Sequence, residues 1–202
     1  MVQSEIALER EPERAKVLDR LRAHGWNATS FQVLEPGFCY WFDESGAVAY
    51  VDTGGAWVAA GAPIAAEERL ATCASRFVRA ARDAGRRACF FGVEPRFLRS
   101  ADFASLLIGG QPVWDPRRVA DSRPVSKSLR EQLRRARAKG VEVRRLGAIE
   151  ISDAPGSRRR DIERLIERWS SRLTLAPMGF LVAVHPFHFV AEHRYFVAER
   201  DG

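Results

Sequence analysis

The sequence predicts an α/β fold whose sheet has an antiparallel meander and a parallel portion, flanked by helices. Three observations predict it. Four short β-rich runs parted by turn residues follow one helical stretch, a long helical stripe and one apolar run of strand length come next, and the alternation resumes after a basic helix.

Pro12 suits a first helical position, and Glu13–His24, with Val17, Leu18 and Leu21 on one side and Gly25 after it, reads as the opening helix. Thr29–Leu34, Phe38–Phe42, Ala47–Val51 and Ala56–Ala60 read as the meander. Pro36-Gly37 fits a type II turn, Glu44-Ser45-Gly46 a looser one, and Thr53-Gly54-Gly55 a hairpin loop. Gly61-Ala62-Pro63 ends the sheet and leads into a helix over Ala66–Ala84, with Leu70, Ala74, Phe77 and Ala81 at helical spacing and Gly85 closing it. Ala88–Val93 is a strand-length apolar run, Pro95 opens a helix to Leu107, and Gln111–Trp114 reads as a last strand.

Asp115–Val125, with Pro116 and Pro124, is a connector into the basic helix Ser126–Gly140. There Ser128 and Glu131 have capping-box spacing, Gly140 suits a left-handed exit, and Leu129, Leu133 and Ala136 form a narrow apolar stripe. Arg130, Arg134 and Arg137 repeat the same spacing on another face, and Lys127, Arg135 and Lys139 add to the charge. One acid, Glu131, stands against these six cations, so intrahelical pairs cannot neutralise the face and it needs water or an anionic partner. Beyond it, Val141–Leu146 reads as a strand, Ile149–Arg160 as a polar loop, Asp161–Ser171 as a helix with Ile162, Leu165, Ile166 and Trp169 on one face, and Phe180–Val184 and Tyr195–Ala198 as strands. Asp201-Gly202 is a hairpin-turn dipeptide with no returning strand, so the second half-domain is expected to be incomplete. The domain reading is a first fold over 1–115, a connector and basic helix over 116–140, and the beginning of a second fold over 141–202.

Charge is placed unevenly. Residues 1–116 carry 13 Lys/Arg and 15 Asp/Glu, net −2, whereas 117–202 carry 19 and 11, net +8. That asymmetry points to an anionic partner, nucleic acid or anionic membrane surface, approached from the second half. Hydrophobic residues make up 46% of the chain, enough for a buried core, and no apolar run approaches the ~20 residues a membrane span requires. Cys39, Cys73 and Cys89 are odd in number and widely spaced, which implies neither a disulfide framework nor a zinc site; they read as buried small hydrophobes in a reducing, cytoplasmic compartment.

Several strings, in order and spacing, resemble the phosphatidylglycerol lysyltransferase C-terminal domain family: Asn27-Ala28-Thr29-Ser30-Phe31, Val48-Ala49-Tyr50, Gly61-Ala62-Pro63, Phe90-Phe91-Gly92-Val93, and Ser128-Leu129-Arg130 through Arg135-Ala136-Arg137-Ala138-Lys139-Gly140. Trp169 and Met178-Gly179-Phe180 also fit, and the similarity covers nearly the whole chain. The resemblance implies a tandem pair of acetyltransferase-like (GNAT) folds, here with the second unfinished. It implies a transferase passing an aminoacyl group from aminoacyl-tRNA to a phospholipid hydroxyl or related acceptor, at or near the inner face of the membrane. No cofactor is implied beyond the tRNA donor, and Lys127, Arg130, Arg134, Arg135, Arg137 and Lys139 would hold the tRNA. The family often shows Gly-Asp-Pro where this chain has Gly61-Ala62-Pro63.

Other residue sets invite chemistry. His185 and His188 in H-x-x-H spacing, with His193, raise a metal site, but no acid or Cys cluster completes a ligand set and Pro186 opposes a regular helix, so no metal is expected. His185, His188 and Glu192 are the candidate general bases. Arg158-Arg159-Arg160 reads as a solvated helix start that could extend the basic footprint. The aromatics Phe38, Tyr40, Trp41, Phe42 and Tyr50 read as core in preference to a base-stacking platform. Two alternatives stand beside aminoacyl transfer. One is acetyl-CoA-dependent N-acetyltransfer, for which the loop at Gly61–Ile64 has few glycines and loses an N–H at Pro63. The other is a non-catalytic module docking on RNA or anionic lipid.

Overall fold

The computed structural model describes residues 11–110, 115, 117, 127–153, 156–172 and 186–200. They fall into two compact units, dividing between Ile108 and Gly109.

In the first unit, α1 (Glu11–His24) turns its Val17, Leu18 and Leu21 inward. It leads to β1 (Cys39–Phe42), β2 (Gly46–Asp52), β3 (Ala56–Ala60), the short β4 (Ile64–Ala65), α2 (Leu70–Asp83), β5 (Arg87–Phe91) and α3 (Pro95–Ser100). The sheet order is β1-β2-β3-β5, with β4 also on β2. β1, β2 and β3 pair antiparallel, and β3 takes β5 in parallel across the α2 crossover. A mixed sheet flanked by helices is thus what the turn signals and the single crossover helix predict.

Register decides which side chains meet α2. Trp41 lies opposite Val48, Tyr50 opposite Ala59, and Trp57 opposite Ala88, so alternation puts all six on one face, with Phe90. Against that face α2 buries Leu70, Cys73, Ala74, Phe77 and Ala81. The strand aromatics Trp41 and Tyr50 are therefore core, each with its ring against Phe77, and Phe38 is buried. Ala47 and Ala49 alternate to the other face, and α1 packs against β2 and β4. Gly46 has a steric reason: a Cβ there would sit 2.8 Å from both the Ile64 carbonyl oxygen and the Ala65 Cβ. After α2, Gly85 at φ +71° lets Arg86 N–H donate to Ala81 O and Gly85 N–H to Arg82 O, a Schellman closure.

Three expectations are corrected here. Residues Ala28–Leu34 form a 3-10 helix, not a strand. Asn27 Oδ1 accepts from Ser30 N–H at 2.8 Å and Ser30 Oγ at 2.9 Å, which winds the chain tightly and drops Val33 and Leu34 into the interior. The helix expected over Pro95–Leu107 stops at Ser100, because Ala101 turns extended and Phe103 packs on Phe90 and Phe97 at centroid distances of 5.6 and 5.9 Å. Cysteine burial holds only in part: Cys73 is fully buried, Cys39 half-buried, and Cys89 exposed on β5. Burial pushes the Cys73 thiol up to about 11. Cys89 should therefore alkylate at neutral pH in minutes while Cys73 stays unmodified until the unit unfolds, which peptide mass spectrometry after iodoacetamide treatment would show.

The second unit holds α4 (Lys127–Ala138), β6 (Glu142–Arg145), α5 (Arg159–Ser170), a 3-10 turn at Val190–Glu192 and β7 (Phe196–Glu199). β6 and β7 pair antiparallel, Val143 opposite Ala198 and Arg145 opposite Phe196. Carboxylates tie the loop after β6 to this pair. Arg144 donates to Glu199 at 2.9 Å and to Glu150 at 2.7 Å, Arg158 donates to Glu199, and Glu150 also accepts from Gly147 N–H at 2.9 Å. The strands expected at Gln111–Trp114 and Phe180–Val184, and the closing Asp201-Gly202, lie outside the described residues.

Candidate nucleic-acid interface

Helix α4 realises the predicted basic helix over Lys127–Ala138. Its exit is a full Schellman motif: Gly140 at φ +72° donates to Arg137 O at 3.0 Å, and Val141 N–H reaches Ala136 O at 3.0 Å. The expected capping box does not form. Ser128 lies within the helix with its Oγ accepting from Gln132 Nε2 at 3.2 Å, and the Glu131 carboxylate is committed to arginines one turn later.

That carboxylate holds two guanidinium groups at once. Glu131 Oε2 accepts from Arg134 Nε at 2.9 Å, and Oε1 accepts from Arg134 Nη2 at 2.8 Å and from Arg135 Nε at 2.9 Å. Hydrogen bonds from Arg134 first, then Arg135, hold the Glu131 carboxyl below the usual range, so it stays ionised at neutral pH. One acid thus binds two of the six cations, where spacing alone allowed i,i+3 and i,i+4 pairing without saying which arginine would take it.

All six cations, Lys127, Arg130, Arg134, Arg135, Arg137 and Lys139, are exposed. Among the described residues Lys127, Arg137 and Lys139 have no ion-pair partner. The apolar stripe is shallow: Leu129 and Ala136 are half-buried and Leu133 is 42% exposed. Six cations against one acid on an exposed helix give a strong, sequence-independent attraction for phosphate oxygens.

Arg158 and Arg159 belong to packing instead. Arg158 pairs with Glu199, while Arg159 binds Asp153 at 2.8 Å and Glu163 at 3.0 Å and sets its guanidinium 4.6 Å over the Phe187 ring. Phe187 stacks on Tyr195 at 5.8 Å, and Tyr195 Oη donates to Pro186 O. Burial raises the Tyr195 hydroxyl above its ordinary value, with the Arg159 charge acting the other way.

Of the candidate bases, His185 lies outside the described residues. His188 is half-buried in the turn before the 3-10 segment, and Glu192 is exposed at the end of that segment. Phe189, between His188 and Glu192, adopts φ +50°, uncommon for a residue with a side chain. Among the described residues no three His, Cys, Asp or Glu groups converge as a metal site would need.

The loop at Gly61–Pro63 offers little to a pyrophosphate. Gly61 N–H already donates to Phe91 O at 2.7 Å, Pro63 has no N–H, and Glu67 and Glu68 place negative charge on the turn before α2. In the same unit, Leu21, Trp26, Asn27, Ser30 and Phe31 line a shallow recess of about 390 Å³, with the Arg96 guanidinium 4.5 Å over the Trp26 ring. Nothing in the sequence pairs Trp26 with Arg96, 70 positions apart.

No helix among the described residues is long and apolar enough to cross a membrane. Two solved structures share the fold. The C-terminal domain of a putative lysylphosphatidylglycerol synthetase from Agrobacterium fabrum superposes with a TM-score of 0.62 at 18% identity, over 94% of this chain and 61% of that one. L-PGS from Bacillus licheniformis does so with a TM-score of 0.61 at 16% identity, over 96% of this chain and 58% of that one. At such identities the likeness is one of fold, and this chain spans less than two thirds of either protein's length. No curated protein matches the chain in sequence. The sequence profile described as phosphatidylglycerol lysyltransferase, C-terminal, matches residues 18–202. The shared fold and a profile match from α1 to the last residue make this chain a member of the phosphatidylglycerol lysyltransferase C-terminal family.

Proposed function

We propose that this chain is part of an aminoacyl-tRNA-dependent aminoacyltransferase acting on a phospholipid hydroxyl or related acceptor, with α4 holding the tRNA. The observation that carries it is the exposed cationic face of α4, in a family described by lysyl transfer to phosphatidylglycerol. The chemistry asks for what such a face supplies. An aminoacyl ester is already activated, so the protein must hold the polyanion, take a proton from the acceptor hydroxyl and stabilise the oxyanion. Of the candidate bases, His188 and Glu192 lie among the described residues.

In this reading residues 1–115 are the first acetyltransferase-like fold, 116–140 the connector and tRNA-holding helix, and 141–202 the start of a second such fold. The protein works in the cytoplasm, peripheral to anionic lipid at the inner face of the membrane.

Binding of tRNA by the whole chain at two salt concentrations tests the central claim. Affinity should fall steeply with salt, and R134A/R135A should weaken binding about tenfold and flatten the log–log slope by about 1.5, the loss of two phosphate contacts. Unchanged binding in the double variant removes α4 from the function. Supplying charged tRNA and phosphatidylglycerol then separates the enzyme classes: a lipid ester supports aminoacyl transfer, whereas CoA release from acetyl-CoA supports the acetyltransferase alternative.

A further inference from the structure

Arg134 and Arg135, two of the six cations on and just after α4, are engaged by a single acid. The Nε–Nη2 edge of Arg134, the edge that receives a phosphate bidentately, is filled by both oxygens of Glu131, and Arg135 Nε is taken by one of them. The occupant is an anion built into the helix one turn away, standing where a ligand phosphate would stand.

The geometry points to Glu131 as a specificity-determining residue of the polyanion site, an intrahelical competitor that keeps Arg134 and Arg135 from isolated anions and yields them to a partner holding several phosphates in a row. This deepens the tRNA-binding reading and rests on it. A tethered carboxylate acts at an effective concentration on the order of millimolar or above, so a lone phosphate at lower concentration loses the exchange. A polyphosphate backbone meets the same competitor once but also engages Lys127, Arg137 and Lys139, which have no ion-pair partner among the described residues. The cost of displacement is spread over several contacts. The Glu131 pairs are exposed, and exposed pairs are weak enough to be exchanged. The same carboxylate keeps two neighbouring guanidiniums, at positions 134 and 135, from repelling each other while the face is empty.

Glu131→Gln keeps the side-chain shape and the helix propensity while removing the charge. Glu167→Gln, at an exposed acid on a different helix, α5, makes the same change in net charge and serves as control. Wild type, E131Q and E167Q are titrated with tRNA at two salt concentrations and with inorganic phosphate, with circular dichroism confirming equal helix content. E131Q should bind tRNA about 3–10-fold more tightly at low salt, with a slope steeper by roughly one phosphate contact, and should gain binding of inorganic phosphate that wild type and E167Q lack. If E131Q binds tRNA no more tightly than wild type, or E167Q gains as much, Glu131 is not the competitor and the inference falls while the tRNA reading stands. If wild type binds no tRNA at either salt, both fall.

Discussion

Phe77→Ala should cost the first unit about 3–5 kcal/mol. Phe77 is fully buried, and its ring is the hub of the sheet's aromatic face: Trp41 at 5.8 Å, Tyr50 at 5.6 Å, Trp57 at 5.7 Å and Phe90 at 5.6 Å, centroid to centroid. Those four rings come from β1, β2, β3 and β5, so one side chain on α2 pins the four main strands. Removing it leaves a void that no small side chain nearby can fill, and the aromatic edge contacts, about 0.5–1.5 kcal/mol each, go with it. Phe77→Leu keeps most of the volume and should cost about 1–2 kcal/mol. Urea unfolding followed by tryptophan emission measures this, because Trp41 and Trp57 flank the ring being removed. A loss below about 1 kcal/mol for the alanine variant would mean that α2 is not seated as described.

That hub was half legible in the sequence. Leu70, Ala74, Phe77 and Ala81 recur at helical spacing, so the buried stripe of α2 could be read without a structure. Which strand residues meet it depends on register, which composition does not specify; an apolar run such as Ala88–Val93 is consistent with either parity, and so exposed Cys89 passed for core. The 3-10 segment failed for a related reason. Ala28–Leu34 has the hydrophobic content of a strand, and the deciding bonds come from the side chain just before it, Asn27. The end of α3 is set by Phe103 reaching Phe90 and Phe97, a tertiary demand that overrides helix propensity.

The candidate interface divides in the same way. Its six cations, its helix and its glycine exit follow from local chemistry, and all are where the spacing puts them. Ser128 and Glu131 matched a capping box but serve otherwise, because two arginines one turn onward outcompete a backbone N–H for the carboxylate. Local motifs name the groups able to bond. Competition among them, which a linear pattern does not rank, decides which bonds form.

Asp43→Ala should cost about 2–4 kcal/mol, from the turn between β1 and β2. Asp43 Oδ1 accepts from Ser45 N–H at 2.8 Å, Ser45 Oγ at 2.6 Å and Gly46 N–H at 3.0 Å, and Oδ2 pairs with Arg76 of α2 at 3.1 Å. Ser45 and Gly46 are buried, so deleting the carboxylate strands donors that water reaches poorly. Gly46 has little room to shift, since even a Cβ there would lie 2.8 Å from the Ile64 carbonyl oxygen and the Ala65 Cβ. Asp43→Asn keeps an oxygen for the turn and loses only the charge, so about 1 kcal/mol is expected. Burial alone would raise the Asp43 carboxyl, but the bonds from Ser45, Arg76 and Gly46 outweigh it and hold the carboxyl below its ordinary value. A carboxyl depressed in the folded state stabilises the fold above the unfolded value and loses that contribution as pH falls through the folded one. The wild-type advantage over Asp43→Asn should accordingly be constant near neutrality and shrink as pH drops below about 4, the ordinary aspartate range. Denaturation midpoints for the pair from pH 7 to pH 3 measure it, and an advantage that persists at pH 3 would show that Asp43 acts through shape and not through charge.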